Sequence, residues 1–214
     1  MSASLPLGIL GGTFDPIHRG HLVLAHEAQR QLSLEQVILM PAGFPWQRVP
    51  SAPAADRLAM TQLAAITTRG ITVDDREVRR ATPTYTIDTL IELRAELGHL
   101  RPLWLILGAD AFLNLPTWKR WQDVLTLAHV AVFNRPSAPS LTTSMPASLK
   151  TVFDQHVRLP QQVKTAAGAI ALLQMPLLDI SSSRVREACK KGLPTADLLP
   201  ATVLDYIESH QLYR

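Results

Sequence analysis

The chain has 214 residues, 47% of them hydrophobic and 18% charged, with a formal net charge of +3. That length suits one domain with at most a small appendage, and the composition is that of a packed globule rather than a disordered chain. The positive excess is slight and scattered, so it favours a phosphorylated ligand and excludes the dense basic stripe of a nucleic-acid binder.

In chain order, residues 1–6 lack the basic-then-apolar layout of a signal peptide. Residues 7–10 form an apolar run that predicts a short buried strand, stopped by Gly11 and Gly12. Helical spacing follows over about 20–32, with Leu24, Ala25, Ala28 and Leu32 on one side. A second strand over 37–40 is stopped by Pro41, and a helix near Ala54–Ile66 and a strand Ile71–Val73 come next. Thr86–Leu97 predicts a helix with Gly98 as its stop. Strands over 103–107, again followed by a glycine, and over 130–133 are continuous apolar runs. The stretch 134–160, rich in Pro, Ser and Thr, is expected as a long connection. A strand over 169–173 and a helix over 182–191 follow. Cys189 on that helix is a small packing residue; as the lone cysteine it forms no internal disulfide, which fits a reducing, cytoplasmic setting. The apolar stretch 166–178 is too short to span a membrane, so no membrane partner is expected.

Short apolar strands alternating with amphipathic helices predict an α/β fold, doubly wound, with a mostly parallel sheet covered on both faces. Ligands of such sheets sit beyond the carboxyl ends of the strands. Gly11-Gly12 and Gly108-Ala109-Asp110 both fall at such ends. Neither a dinucleotide fingerprint nor a Walker loop follows the first pair, so other groups must hold the phosphates. The candidates are His18 and His21, with Gly20 between them at the start of the predicted helix, where backbone N–H groups and the helix dipole favour an anion. A metal site is the rival reading of a histidine pair, but only Asp15 is near enough in sequence to add a ligand, so no protein metal site is assigned. Later, Ser181-Ser182-Ser183 predicts a helix cap with Arg186 one turn in, a second anion site. Asp110, on its own, is a candidate helix cap; Trp104 and Trp121 are expected in the core.

The run Gly11-Gly12-Thr13-Phe14-Asp15-Pro16-Ile17-His18-Arg19-Gly20-His21 resembles the signature of the nucleotidylyltransferase superfamily with its His-x-Gly-His motif. Together with Pro83-Thr84-Tyr85-Thr86, Gly108-Ala109-Asp110, Pro116-Thr117-Trp118, the stretch from Ile180 to Arg186 and that from Tyr206 to Tyr213, it makes the chain similar to bacterial nicotinate mononucleotide adenylyltransferases over nearly its whole length. The resemblance implies a Rossmann-like nucleotidylyltransferase domain over 1–214, with about 180–214 as a small helical subdomain. The implied reaction joins ATP and nicotinate mononucleotide, giving nicotinate adenine dinucleotide and pyrophosphate. It implies His18, His21 and Arg186 as catalytic groups. Gly11, Gly12, Thr13, Phe14, Gly20, Gly108, Asp110, Ser182 and Ser183 would hold ATP, the two serines as caps of their helix. Asp15, Arg48, Thr84, Tyr85, Thr86 and Trp118 would hold the mononucleotide, with the aromatic faces suited to a pyridinium ring. Mg²⁺ is implied as the ion ATP carries, without a dedicated protein ligand. The chain departs from the family at Pro45-Trp46-Gln47-Arg48, where many members carry Pro-Pro-His-Lys: Arg48 keeps the charge, and Gln47 replaces the histidine.

Two other readings remain at this point. One is transfer to a different phosphate, that of nicotinamide mononucleotide or of phosphopantetheine; the length and the Tyr85/Trp118 pair speak against the latter. The other is a non-catalytic nucleotide sensor, against which the intact His18, His21 and Arg186 argue.

Overall fold

The computed structural model describes residues 4–47, 49–80, 82–134, 141–176, 178 and 180–214. Six runs pair as strands: β1 (Leu7–Gly12), β2 (Gln36–Pro41), β3 (Ile71–Val73), β4 (Leu103–Gly108), β5 (His129–Asn134) and β6 (Ile170–Gln174). They form one sheet in the order β3-β2-β1-β4-β5-β6, and the pairs β1–β4, β4–β5 and β5–β6 are parallel. The chain moves outward from β1 to β3, crosses back, and moves outward again to β6, which is a doubly wound order. Parallel neighbours need crossovers. These carry α1 (Arg19–Leu32), α2 (Ala54–Ile66), α3 (Arg76–Arg79), α4 (Thr86–Leu97), α5 (Ala109–Leu113), α6 (Val124–Leu127), α7 (Leu141–Ser144) and α8 (Ala147–His156); α9 (Ser182–Lys190) and α10 (Ala201–Ser209) follow the sheet. The α/β, Rossmann-like architecture is the one the sequence predicts. Gly11 and Gly12 lie inside β1, and Gly108 closes β4, so these glycines belong to the strands they were expected to stop. Among the described residues no helix is long and apolar enough to cross a membrane.

The chain divides into two compact units, Met1–Leu10 with Glu27–Val37 and Tyr85–Leu177, and Gly11–His26 with Ile38–Thr84 and Leu178–Arg214. In the first, β4 and β5 are buried along almost their whole length, as a strand covered on both faces must be. Gly8 is required by packing: a Cβ there would stand 2.7 Å from Leu34 Cδ1 and 2.9 Å from Ile106 Cδ1. Trp104 is in this core, as expected, whereas Trp121 is only half-buried and begins a 3-10 turn. The expected long connection over 134–160 is instead helical in part, carrying α7 and α8. Its anchors, Leu149 and Phe153, sit one turn apart and are buried, and the Phe153 ring meets Phe112 edge-on at 6.2 Å. Such a sparse pair among Ser, Thr and Pro gives too little periodicity to announce a helix.

Buried arginine recurs in both units. In the first, Arg94 is 4% exposed and donates to the carbonyls of Leu127, Gly98, Arg101 and Ala166 at 2.6–3.2 Å. In the second, Arg57 is 1% exposed and donates to the carbonyls of Ala52, Thr13, Ala42 and Gly43 at 2.6–3.2 Å. The rigid five-donor fork of arginine is what lets one side chain satisfy several carbonyls in fixed directions. The second unit also buries Phe14, Ile17, Leu39, Met40, Met60, Val185, Leu199 and Val203. Helix α10 bonds to α2 through the Tyr206 hydroxyl, which donates to Asp56 at 2.9 Å.

His129, fully buried against Trp104, gives this fold a pH dependence. Its Nδ1 accepts from the Ala169 N–H at 3.0 Å, so the proton lies on Nε2, 2.9 Å from the Thr165 carbonyl oxygen. Burial, helped by the Arg94 charge and opposed by the Thr165 bond, holds its pKa below the ordinary histidine range. The unfolded chain therefore takes up a proton that the folded chain refuses. Stability present above about pH 6.5 is lost as the pH falls below that value. Urea midpoints measured from pH 8 to pH 5 should fall more steeply for the wild type than for His129→Gln; equal slopes would remove His129 from this role.

Candidate active site

In the second unit the connection from β1 to α1 is fixed residue by residue through its backbone. Arg57 holds the Thr13 carbonyl at 2.6 Å. Phe14 is buried with a left-handed φ of 47°, and its ring fills the space a Cβ on Gly12 would need, at 2.8 Å. Asp15 is 5% exposed; its carboxylate accepts from the N–H groups of Ser51 (2.7 Å) and Ala52 (3.0 Å) and from the Tyr213 hydroxyl (2.9 Å). The Arg186 guanidinium donates to the Asp15 carbonyl at 2.7 Å, and the Ser182 hydroxyl donates to the Pro16 carbonyl at 3.0 Å.

This bracing delivers His18 to the position before α1, where its backbone N–H points at the Nδ1 of His21, 3.3 Å away. The His21 N–H returns a bond of 2.9 Å to the His18 carbonyl. His21 thus plays the part that Glu or Gln plays in a capping box, which ties the spacing of the two histidines to the geometry of a helix start. With Nδ1 accepting, the neutral His21 ring carries its proton on Nε2. The two imidazoles stack at 3.7 Å with planes 20° apart, and Phe14 meets His21 edge-on at 5.0 Å. Gly20 leaves room for this stack, since a Cβ would stand 3.0 Å from His18 Nδ1 and press on its ring.

The serines of α9 differ from their expected roles. Ser181, in extended conformation, is the cap: its hydroxyl accepts from the Arg184 N–H at 3.2 Å. Ser182 and Ser183 already lie in the helix, where a hydroxyl cannot reach the free N–H groups as a cap does. Ser182 instead anchors the Pro16 carbonyl, and Ser183 accepts from Arg186 at 3.3 Å. Thr84 is 6% exposed; its N–H donates to the Phe44 carbonyl at 3.1 Å, and its bridge with Pro45 ties down the loop after β2. The tip of that loop exposes Phe44, Trp46 and Val49; Arg48 lies outside the described residues. In this unit the structure brings Asp15, His18, Gly20, His21, Ser182, Ser183 and Arg186 to one loop. Gly11, by contrast, has nothing within 4 Å of where a Cβ would stand.

The first unit carries the other candidates. Tyr85 occupies the cap position of α4, accepting at its carbonyl from Asp88 and Thr89, and Thr86 opens that helix. Lys119 lies over the Tyr85 ring at 4.7 Å and pairs with Asp88 at 3.0 Å. Trp118 is half-buried, and its indole N–H has no hydrogen-bond partner among the described residues. Asp110 is exposed in the first turn of α5; the cap residue is Gly108, and no side-chain cap bond forms. A Cβ on Gly108 would also meet nothing within 4 Å.

Sequence reasoning missed Arg57, Tyr213 and Lys119. Arg57 had a signal: it stands on the same face of α2 as Met60, Thr61 and Ala64, and a charge on an apolar helix face asks for buried partners. Tyr213 stood in the C-terminal stretch of the resemblance, but nothing there signalled its contact with Asp15, which joins residues 198 apart in the chain.

The cytidylyltransferase-like family model matches residues 9–188. The chain is 45% identical over 214 residues to a probable nicotinate-nucleotide adenylyltransferase of Dechloromonas aromatica, covering 99% of each chain. It is 41% identical to the protein of the same description from Chromobacterium violaceum, covering 97% of this chain and 98% of that one. Among solved structures, the nicotinic acid mononucleotide adenylyltransferase of Plasmodium falciparum complexed with NaAD superposes with a TM-score of 0.74 at 18% identity, over 98% of this chain and 97% of that one, a likeness of fold.

Proposed function

The chain belongs to the nicotinate-nucleotide adenylyltransferases of the cytidylyltransferase-like family, and from that premise we propose that it transfers the adenylyl group of ATP to nicotinate mononucleotide in NAD biosynthesis. A phosphate oxygen of the mononucleotide forms a bond to the α-phosphorus of ATP, the bond to the β-phosphate oxygen breaks, and pyrophosphate leaves with the electron pair. The nucleophile is already an anion, so no covalent residue and no strong base is required. The work is alignment and stabilisation of charge.

The observation that carries this reading is that a single loop, braced by Arg57 and Ser182, gathers His18, His21 and Arg186. In this role the two imidazoles donate to the triphosphate as the α-phosphorus becomes five-coordinate, and Arg186 holds the departing pyrophosphate. Ser183, bonded to Arg186, sets that side chain for the phosphates, and Ser182 acts on the same site through the Pro16 carbonyl it anchors. The open space at Gly11 and at Gly108 lets a nucleotide approach the backbone closely, along Gly12, Thr13 and Phe14 in one case and beside Asp110 in the other. Tyr85 and Trp118 offer aromatic faces to the pyridinium ring, and the start of α4 at Tyr85 and Thr86 offers N–H groups to its carboxylate, while Thr84, whose own N–H is bonded to the Phe44 carbonyl, positions that turn. Asp15 and Arg48 complete the mononucleotide assignments. Asp15 acts through the loop it orients, since its carboxylate is held by Ser51, Ala52 and Tyr213.

The family chemistry is compatible with a divalent metal. Among the described residues no group of three His, Cys, Asp or Glu is arranged to hold one. In this reading Mg²⁺ would arrive on ATP, which supplies phosphate oxygens for it, and would neutralise charge on the leaving group. The reading puts the reaction in the cytoplasm with its small-molecule substrates.

A panel of mononucleotides tests it. With ATP and Mg²⁺, pyrophosphate should appear with nicotinate mononucleotide and far more slowly with the nicotinamide form, which lacks the carboxylate. Release only with the amide would overturn the choice of acceptor, and ATP binding without release would overturn catalysis.

A further inference from the structure

We propose that Tyr213 is a positioning residue for the leaving-group site, acting through Asp15 on Arg186. The inference rests on the adenylyl-transfer reading and extends it to a residue for which the resemblance implied no role. Tyr213 lies two positions beyond Gln211, each with a left-handed backbone, at φ 61° and 54°. That conformation is uncommon for a tyrosine and needs the surrounding structure to hold it. It aims the hydroxyl at Asp15 Oδ1, 2.9 Å away. Burial first, and then the Asp15 charge, push the Tyr213 pKa well above the ordinary phenol range, so the hydroxyl remains a donor throughout the neutral range.

The consequence lies at the other carboxylate oxygen. Asp15 Oδ2 accepts from Ser51 N–H at 2.7 Å and stands 3.8 Å from Arg186 Nη1. That guanidinium is committed to the Asp15 main-chain carbonyl at 2.7 Å and touches Ser183 at 3.3 Å, and its side chain is 29% exposed. The carboxylate and the guanidinium are thus close without forming the short paired bonds that such groups prefer. Tyr213 and Ala52 fill Oδ1 and Ser51 takes one of the two acceptor sites of Oδ2, so three neutral donors fix the carboxylate and hold Oδ2 at 3.8 Å from Arg186 rather than in a short pair with it. With the hydroxyl removed, a buried carboxylate would be left one donor short beside one cation, and it would turn to pair with it. Arg186 would then be drawn off the anion it serves. Arg186, Lys190, Tyr213, Arg214, Ser51 and Glu187 line one cleft, so the cation that Tyr213 keeps available faces a predominantly basic recess suited to pyrophosphate.

Tyr213→Phe keeps the ring and its packing and removes the donor. Under the proposal kcat falls about tenfold, the size expected for one lost bond to a charged group. Inorganic pyrophosphate inhibits about tenfold more weakly, and KM for nicotinate mononucleotide stays at the wild-type value. In an Arg186→Lys background, whose single ammonium cannot form the same pair, Tyr213→Phe should add almost nothing. A folded Tyr213→Phe protein with unchanged kcat and pyrophosphate inhibition would overturn the proposal. So would equal losses in both backgrounds, or a Tyr213→Phe protein that fails to fold, since each makes Tyr213 a stability residue only. A wild-type protein that releases no pyrophosphate from any mononucleotide would sink the function reading instead, so the two failures are separable.

Discussion

His21→Ala is expected to lower turnover of ATP and nicotinate mononucleotide by about 100-fold or more, as loss of one transition-state donor does, while the fold survives. The ring's Nδ1 is taken by the His18 N–H, so what alanine removes is the Nε2 donor together with one face of the stacked pair. Alanine is well tolerated inside a helix, and the His18 carbonyl still receives its bond from the residue 21 N–H. The loss should therefore fall on kcat and leave KM for ATP nearly unchanged, the signature of an interaction made chiefly in the transition state. Steady-state kinetics with circular dichroism on the same sample decides it: a near-normal rate in a folded His21→Ala protein would remove His21 from the chemistry.

The second large effect is on stability. Arg57→Met should destabilise the protein by about 4 kcal/mol, the scale for stranding the partners of a buried charged group. Methionine fills much of the volume, so the cost is not a cavity but four carbonyls left without their donor. Burial works against the Arg57 charge and lowers its pKa, opposed by the Asp15 charge, and the four carbonyls that accept its N–H groups satisfy the buried guanidinium. Arg57→Lys should lie between the two, because an ammonium has three donors and no fork. Urea unfolding monitored by fluorescence measures both; a midpoint for Arg57→Met close to that of the wild type would show that water replaces the guanidinium at little cost.

The two sites were unequally legible. The strands were readable because a strand buried on both faces must be a nearly unbroken apolar run, and Gly98, with φ 78°, closes α4 where a left-handed stop was expected. Helices α2 and α4 and strand β3 fall where the spacing puts them. The histidine pair was readable because its spacing is local, belonging to one helix start. What escaped is long-range or one residue fine. Ser181, Ser182 and Ser183 are chemically identical, and only the backbone angle at which the helix begins assigns the cap to the first. Asp110 has the chemistry of a cap, yet Gly108 takes the position because the helix begins directly at the end of the strand. Arg57 looks like a surface charge until the carbonyls of two separate loops, one after β1 and one after β2, converge on it, and Tyr213 meets Asp15 only after folding.

The clamp at Arg57 grips peptide oxygens, which every amino acid supplies alike. Positions 13, 42 and 52 are thereby excused from holding their own loops together, and their side chains are free to vary with whatever the loops must recognise. Fastening and recognition are assigned to different atoms, so an architecture of this kind can be refitted to another acceptor by exchanging loop side chains, provided the guanidinium stays.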